Sequence, residues 1–161
     1  MTAPCWCVGC AERMPAAPIE TAPLRPADRA EWEALARGYK AFYRTETPDA
    51  RYEATWRLLM ADEKVHGLCA RVDGRMVGIA HYLFHAQSWS PDCCYLQDLF
   101  TAEGARGRGV ATALIDAVAD EARERGAVKY YWLTKEGNLP ARALYDRIAA
   151  FKGFLRYDYP L

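Results

Sequence analysis

The chain has 161 residues, with 21 Lys and Arg against 21 Asp and Glu, so its formal net charge is zero. This length is typical of one domain, and a hydrophobic content of 52% is enough to build a core. A neutral chain gains no sequence-independent attraction to nucleic acid or to an anionic membrane, and no apolar run approaches the roughly 20 residues that span a bilayer. The composition therefore argues against nucleic-acid and membrane partners.

The first 18 residues differ from the rest of the chain. They contain three prolines and the cysteines Cys5, Cys7 and Cys10, without the basic and long apolar segments of a secretory signal. Three thiolates leave a structural zinc ion one ligand short, which makes a zinc site the weaker interpretation. We expect residues 1–18 to be a flexible N-terminal arm and residues 19–161 to form the domain.

The other cysteines are Cys69 and the adjacent pair Cys93 and Cys94. This arrangement does not resemble a disulfide framework. Free thiols are typical of a reducing compartment, so the sequence predicts a cytoplasmic location.

Two helices are predicted at the start of the domain. Apolar residues from Trp32 to Phe42 follow helical spacing, with Asp28 in position to be the N-cap, and residues 47–49 interrupt the pattern. A second apolar series from Tyr52 to Met60 predicts the next helix.

Strands are predicted after these helices. Residues 67–72 and 75–84 alternate, with the tight turn Asp73-Gly74 between them, and a third strand is predicted over 93–101 after a loop at 86–92.

Helices and strands then alternate towards the C-terminus. The predicted elements are a helix from Val110 to Gly126, a strand over 128–133, a helix over 141–148 and a strand over 154–159. Hairpins followed by crossovers predict a mixed α/β (α+β) single domain.

A glycine-rich turn joins the third strand to the helix at Val110. Gly104, Gly107 and Gly109 allow close backbone approach, and the helix start supplies free N–H groups, a combination typical of a phosphate or pyrophosphate site. A P-loop requires Lys followed by Ser or Thr after its glycines, and this turn has no such pair. A dinucleotide-binding fingerprint requires a third glycine at the position that Thr112 occupies. A connector that binds no ligand remains the alternative.

Two ordered motifs give this turn a context. Arg106-x-x-Gly109-x-Ala111 is followed by a strand and then by Asn138-x-x-Ala141-x-x-Leu144-Tyr145. The chain from about residue 19 onward resembles the GCN5-related N-acetyltransferase family. The resemblance implies a largely antiparallel mixed sheet flanked by helices, with acetyl-CoA as acetyl donor. Because family members are often dimers, it is also compatible with a homodimer.

A narrower resemblance lies in residues 95–100, Tyr-Leu-Gln-Asp-Leu-Phe. They are similar to a Tyr-Leu-Glu-Asp strand of spermidine/spermine and thialysine acetyltransferases and of fungal histone and polyamine acetyltransferases. Gln97 stands where that group has Glu, a candidate acceptor of the amine proton. The usual Gly-Phe is displaced to Gly153-Phe154, which implies a longer connection after the last helix.

The family resemblance also implies roles for individual residues. Tyr145 would be the general acid that protonates the coenzyme sulfur. The alternative is that Tyr145 is a core aromatic residue, since it lies on the apolar face of its predicted helix. Asn138 would bind the pantetheine arm. The strand residues that would pair with the pantetheine amides are Leu99, Phe100 and Thr101. The backbone N–H groups that would bind the pyrophosphate belong to Arg106, Gly107, Arg108, Gly109, Val110 and Ala111.

The strand predicted over 93–101 also offers candidate residues for binding the acceptor amine. Strict alternation places Tyr95, Gln97 and Leu99 on one face and Asp98 on the other, with Leu96 and Phe100. A carboxylate within an apolar strand is costly, so Asp98 is a candidate to bind a cationic amine or to accept its proton through water. A buried structural acid is the alternative.

Four further side chains are candidates around the acceptor. His81 and His85 share a face, and either could act as a base near neutral pH. A metal site at these two histidines is disfavoured, because the sequence offers no evident third ligand. Trp89 and Tyr43 could form the wall of an acceptor pocket, where Gln97 and His85 would also contact the substrate, although core packing is the commoner role of such aromatic residues.

The sequence thus predicts an N-acetyltransferase that moves the acetyl group of acetyl-CoA to a primary amine of a small molecule, by direct attack in a ternary complex. A covalent cysteine route is disfavoured, since Cys93 and Cys94 have no evident base. Acetylation of a protein lysine or N-terminus is the alternative within the same chemistry. A CoA-binding module without turnover is the alternative of another class.

Overall fold

The computed structural model describes residues 17–161, in which helices pack on both faces of a five-stranded sheet. The strands are β1 (Glu20–Pro23), β2 (His66–Val72), β3 (Arg75–His85), β4 (Cys93–Thr101) and β5 (Lys129–Trp132). The α-helices are α1 (Arg29–Phe42), α2 (Asp49–Ala61), α3 (Val110–Glu124) and α4 (Leu139–Ile148). Neighbours are antiparallel from β1 to β4, whereas β4 and β5 are parallel. The predicted mixed, largely antiparallel sheet flanked by helices is confirmed.

The sheet has a separate core on each face. On one face, α1 and α2 bury Trp32 and Trp56 against Ile79 of β3. On the other face, α3 buries Leu114 and Val118 against β2, β3 and β4. The apolar periodicity of each helix accounts for this arrangement, since each has one apolar stripe to bury.

Gly78 of β3 lets α3 approach the sheet closely. A Cβ atom at this position would lie 2.7 Å from Cγ1 of Val110 and 3.0 Å from Cδ1 of Leu114. Because Val110 is the first residue of α3, this contact fixes where the helix begins, immediately after the glycine-rich turn.

Asp28 precedes α1 as predicted, but its carboxylate does not cap that helix. It accepts hydrogen bonds from the backbone N–H of Arg25, at 2.9 Å, and from the guanidinium of Arg71, at 2.7 Å. Because the Asp28 carboxylate is buried, its pairing with the Arg71 guanidinium is favoured over an N-cap hydrogen bond to α1.

The two ends of the described chain differ from prediction. β1 is a four-residue edge strand that ends at Pro23. It was not predicted, because the prolines in and around it disfavour a strand. The strand predicted over 154–159 is wrong: residues 149–161 are exposed and form neither helix nor strand. A strand needs hydrogen bonds from a neighbour, and this segment pairs with none in the described chain. The cysteines of the predicted N-terminal arm lie outside the described residues.

Candidate active site

The parallel strands β4 and β5 separate halfway along β4. Their pairing runs from Cys93 opposite Lys129 to Leu96 opposite Trp132, and in the described sheet the rest of β4 has no neighbour on this side. Strands that diverge leave backbone N–H and C=O groups free to pair with an extended ligand.

The divergence begins at a β-bulge. Leu96 lies opposite Tyr82 and Asp98 opposite His81, so Gln97 is an extra residue without a partner on β3. The bulge reverses the strict alternation predicted for this strand. Asp98 therefore shares a face with Tyr95, while Leu96 and Leu99 face α3.

A cleft occupies the opening between the two strands. Both faces of the sheet contribute to it, since α1 supplies Tyr39 and Tyr43 and α4 supplies Tyr145. The strands and the segment after β5 contribute Leu96, Gln97, Leu99, Trp132, Leu133 and Thr134. Four predicted site residues, Tyr43, Gln97, Leu99 and Tyr145, are thus brought together. The other lining residues were not predicted as site residues, and the sequence places Tyr39 on the apolar face of α1.

Asp98 lies beside this cleft on the α1 face. Its Oδ2 atom is 2.9 Å from Nδ1 of His81. Burial alone would raise the pKa of Asp98, but His81, the nearby Tyr39 hydroxyl and the charge of Lys40 lower it below its ordinary value. Asp98 is therefore an anion throughout the neutral range.

Tyr145 projects from α4 on the other side of the opening. Its ring stands edge-on to Trp132, with centroids 5.2 Å apart, which fixes the phenol beside the end of β5. Burial, with a smaller contribution from Tyr43, raises the pKa of Tyr145 to about 12. The hydroxyl therefore carries its proton at neutral pH and can donate it.

The glycine-rich turn lies at the N-terminus of α3. Gly107 and Gly109 have φ angles of 73° and 89°, in the left-handed region that favours glycine, and nothing lies within 4 Å of a Cβ placed on Gly107. The first N–H groups of a helix have no partner within the helix. The turn spanning Arg106 to Ala111 thus offers an open, electropositive cradle that fits a pyrophosphate.

The other predicted donor-binding residues lie near these two features. Asn138 donates from Nδ2 to the hydroxyl of Thr134, at 3.1 Å, at the rim of the cleft. Thr101 pairs with Gly78 at the end of β4. Phe100 instead faces α1, where its ring centroid is 6.3 Å from that of Tyr39, so only its backbone can face an extended ligand.

Three predicted acceptor residues lie away from the cleft lining. Trp89 is 99% exposed in the loop before β4. His85 is at the far end of β3, where Nε2 is 3.1 Å from the Tyr131 hydroxyl. His81 is buried beneath Asp98 and does not reach the cleft surface.

Comparisons with known proteins agree with this geometry. Residues 31–151 match the Acetyltransferase (GNAT) family. The chain is 34% identical to the D-amino-acid N-acetyltransferase HPA3 of Saccharomyces cerevisiae over 78% of this chain and 81% of that protein. It is 28% identical to a thialysine N-epsilon-acetyltransferase of Caenorhabditis elegans over 54% of each chain. The structure of AAC(6')-Iy with the bisubstrate analogue CoA-S-monomethyl-acetylneamine has a TM-score of 0.80 at 19% identity, covering 90% of this chain and 99% of that one.

The chain belongs to the GNAT family of acetyltransferases, and it is an acetyl-CoA-dependent N-acetyltransferase. The predicted resemblance to the thialysine and fungal subgroup is confirmed by the named relatives. Among residues 17–161, no helix is long and apolar enough to cross a bilayer, and no group of three potential ligands could hold a metal ion.

Proposed function

We propose that the chain transfers the acetyl group of acetyl-CoA to a primary amine of a small molecule, by direct attack in a ternary complex. The observation that carries this proposal is the cleft between β4 and β5, which has the anionic Asp98 beside one end and the phenol of Tyr145 at the other. The names of the relatives, which act on D-amino acids and on thialysine, support a small amine as acceptor.

The donor would bind along the open edge of β4. In this proposal the N–H groups of Arg106 to Ala111 hold the pyrophosphate, and the backbone of Leu99 to Thr101 pairs with the pantetheine amides as an added strand would. Asn138 contacts the pantetheine arm. These roles are supported by the left-handed glycines, the free N–H groups of α3 and the unpaired strand edge.

The acceptor would enter beside Asp98. A carboxylate with a lowered pKa attracts an ammonium group strongly but is a weak base, so Asp98 binds the cationic amine and water removes its proton. Gln97 and Tyr43 contact the acceptor from the cleft wall.

Bond changes follow from this placement. The neutral amine attacks the thioester carbonyl, the N–C bond forms and the C–S bond breaks. The second amine proton leaves to water, while Tyr145 gives a proton to the departing sulfur and regains one from solvent.

The test measures release of the CoA thiol from acetyl-CoA with D-amino acids, thialysine, neamine and lysine-containing peptides. Turnover with small amines and not with peptides is expected. Turnover confined to peptides would contradict the small-molecule acceptor. Binding of acetyl-CoA without thiol release for any acceptor would contradict the enzymatic proposal.

We also propose that the chain forms a homodimer and acts in the cytoplasm. The homodimer is supported by β5, a short edge strand, and by an apolar C-terminal segment whose Phe154, Leu155 and Tyr157 are all exposed, because such surfaces pair readily with a second copy. The cytoplasmic location is supported by Cys69, Cys93 and Cys94, which are free thiols.

A further inference from the structure

A line of three hydrogen-bonded side chains runs from the core of the α1 face to Asp98. Nε1 of Trp32 donates to Nε2 of His81 at 2.9 Å, and Nδ1 of His81 is 2.9 Å from Oδ2 of Asp98. Trp32 is 0% exposed and His81 5% exposed, so water does not compete for these bonds.

The indole of Trp32 determines which nitrogen of His81 carries the proton. An indole N–H can only donate, so Nε2 of His81 must present its lone pair. The neutral ring then has its proton on Nδ1, and Nδ1–H donates to Asp98. A second proton on Nε2 would point at the Trp32 N–H and would leave both groups buried without a partner.

Several charged and titratable groups lie near the Asp98 carboxylate. Tyr39 and Lys40 act on Asp98 from α1, and Tyr43 and Tyr95 lie near Tyr39. The Arg29 guanidinium lies 5.2 Å from the ring centroid of Trp32, the hydrogen-bond donor to His81. A carboxylate has about four lone-pair sites, and His81 occupies one of them. The Asp98 side chain is 20% exposed, so part of it remains accessible to a ligand.

We propose that His81 is a positioning residue for the acceptor amine: Trp32 fixes its Nδ1–H tautomer, and the imidazole holds Asp98 as an oriented anion facing the ammonium group. His81 is therefore not the base of the reaction, because its second nitrogen is occupied by Trp32. The inference rests on the proposed function, in which Asp98 binds the acceptor.

The first test reads the tautomer directly and needs no substrate. In protein labelled with ¹⁵N-histidine, long-range ¹H–¹⁵N spectra are expected to show that the neutral ring of His81 carries its proton on Nδ1. A neutral ring with its proton on Nε2 would overturn the proposal whether or not the chain acetylates small amines.

The second test compares the variants His81→Leu and His81→Asn, because Asn keeps an N–H donor near the position of Nδ1. For thialysine as acceptor, His81→Leu is expected to raise KM at least about tenfold, the loss typical of a hydrogen bond to a charged group, with acetyl-CoA affinity unchanged. His81→Asn should recover part of this loss. Wild-type turnover with an unchanged KM in His81→Leu would overturn the positioning role and leave the proposed function standing.

The third test changes the indole. Trp32→Phe keeps an aromatic ring in the core but removes the donor to Nε2 of His81, so the imidazole and Asp98 are held less firmly and KM for thialysine should rise. Trp56→Phe is the matched control, since Trp56 packs on Trp32 at 5.0 Å but is not the donor to His81. An equal change of KM in both variants would overturn the role of the Trp32 donor.

Discussion

Trp132 and Tyr145 meet edge to face, with ring centroids 5.2 Å apart, although one ends β5 and the other lies within α4. The contact holds the Tyr145 ring independently of its hydroxyl. Tyr145→Phe should therefore keep the fold and the acetyl-CoA affinity while kcat falls by about 10²–10⁴-fold, the usual contribution of a general acid. Single-turnover kinetics and calorimetry measure the two effects.

Tyr130→Phe is the matched control for that change. Tyr130 also packs on Trp132, at 5.3 Å, but its hydroxyl is buried with no hydrogen-bond partner among the described residues. Its removal should leave kcat unchanged and raise the free energy of unfolding by about 1 kcal/mol. Equal loss of kcat in both variants would mean that Tyr145 acts through packing alone.

The glycine-rich turn can be tested by charge. Gly109→Asp places a carboxylate where the pyrophosphate is proposed to bind, so acetyl-CoA affinity should fall by at least about 100-fold at unchanged helix content. Gly109→Ala is the control, because it also places a side chain on the left-handed backbone at a φ of 89° but adds no charge. Calorimetry on both variants distinguishes them, and equal affinities would reject the anion site.

Ionisation of Asp98 should produce no loss of kcat/KM between neutral pH and about pH 6. Its pKa is lowered, so it is already ionised well below pH 6, and kcat/KM for an amine should rise with pH only as the free amine forms. Asp98→Asn should raise KM for thialysine, whereas Gln97→Glu adds a second carboxylate at the bulge and should alter the profile near neutral pH. An Asp98→Asn variant equal to wild type at every pH would make the carboxylate structural.

Gly78 offers a test of how much the close packing of α3 on the sheet contributes to stability. Gly78→Ala would drive a methyl group into Val110 and Leu114, at 2.7 and 3.0 Å, and should lower the free energy of unfolding by about 1–3 kcal/mol. Urea unfolding measures this. Gly104→Ala is the control, since nothing lies within 4 Å of a Cβ at that position.

The exposed apolar residues of the C-terminal segment allow a test of the proposed homodimer. The full chain should have the mass of a dimer in light scattering, and a Tyr157→Lys, Leu155→Lys double variant should shift towards monomer, because buried lysines oppose strand pairing. A monomeric full chain at all concentrations would contradict the proposed homodimer.

Most of the fold could be predicted because its signals are local. The helical spacing from Trp32 to Phe42, the Asp73-Gly74 turn and the glycines before Val110 each depend only on neighbouring residues. The C-terminal strand failed for the opposite reason. Its sequence has the composition of a strand, but whether it pairs depends on another strand edge.

The candidate site was predictable only in part. Gln97 and Asp98 were located by motif, yet the bulge that moves Asp98 to the α1 face depends on pairing with β3, which alternation alone does not reveal. The Trp32–His81 bond joins residues 49 apart in sequence. No local pattern indicates such a contact.

The separation of β4 and β5 has a consequence for inhibitors. The gap opens on both faces of the sheet, with Asp98 on the α1 face and the N-terminus of α3 on the other. The two substrates would then approach from opposite sides and meet between the strands. A compound that joins them must be narrow at its centre, about the width of an extended chain. We expect larger groups to be accommodated only at its two ends.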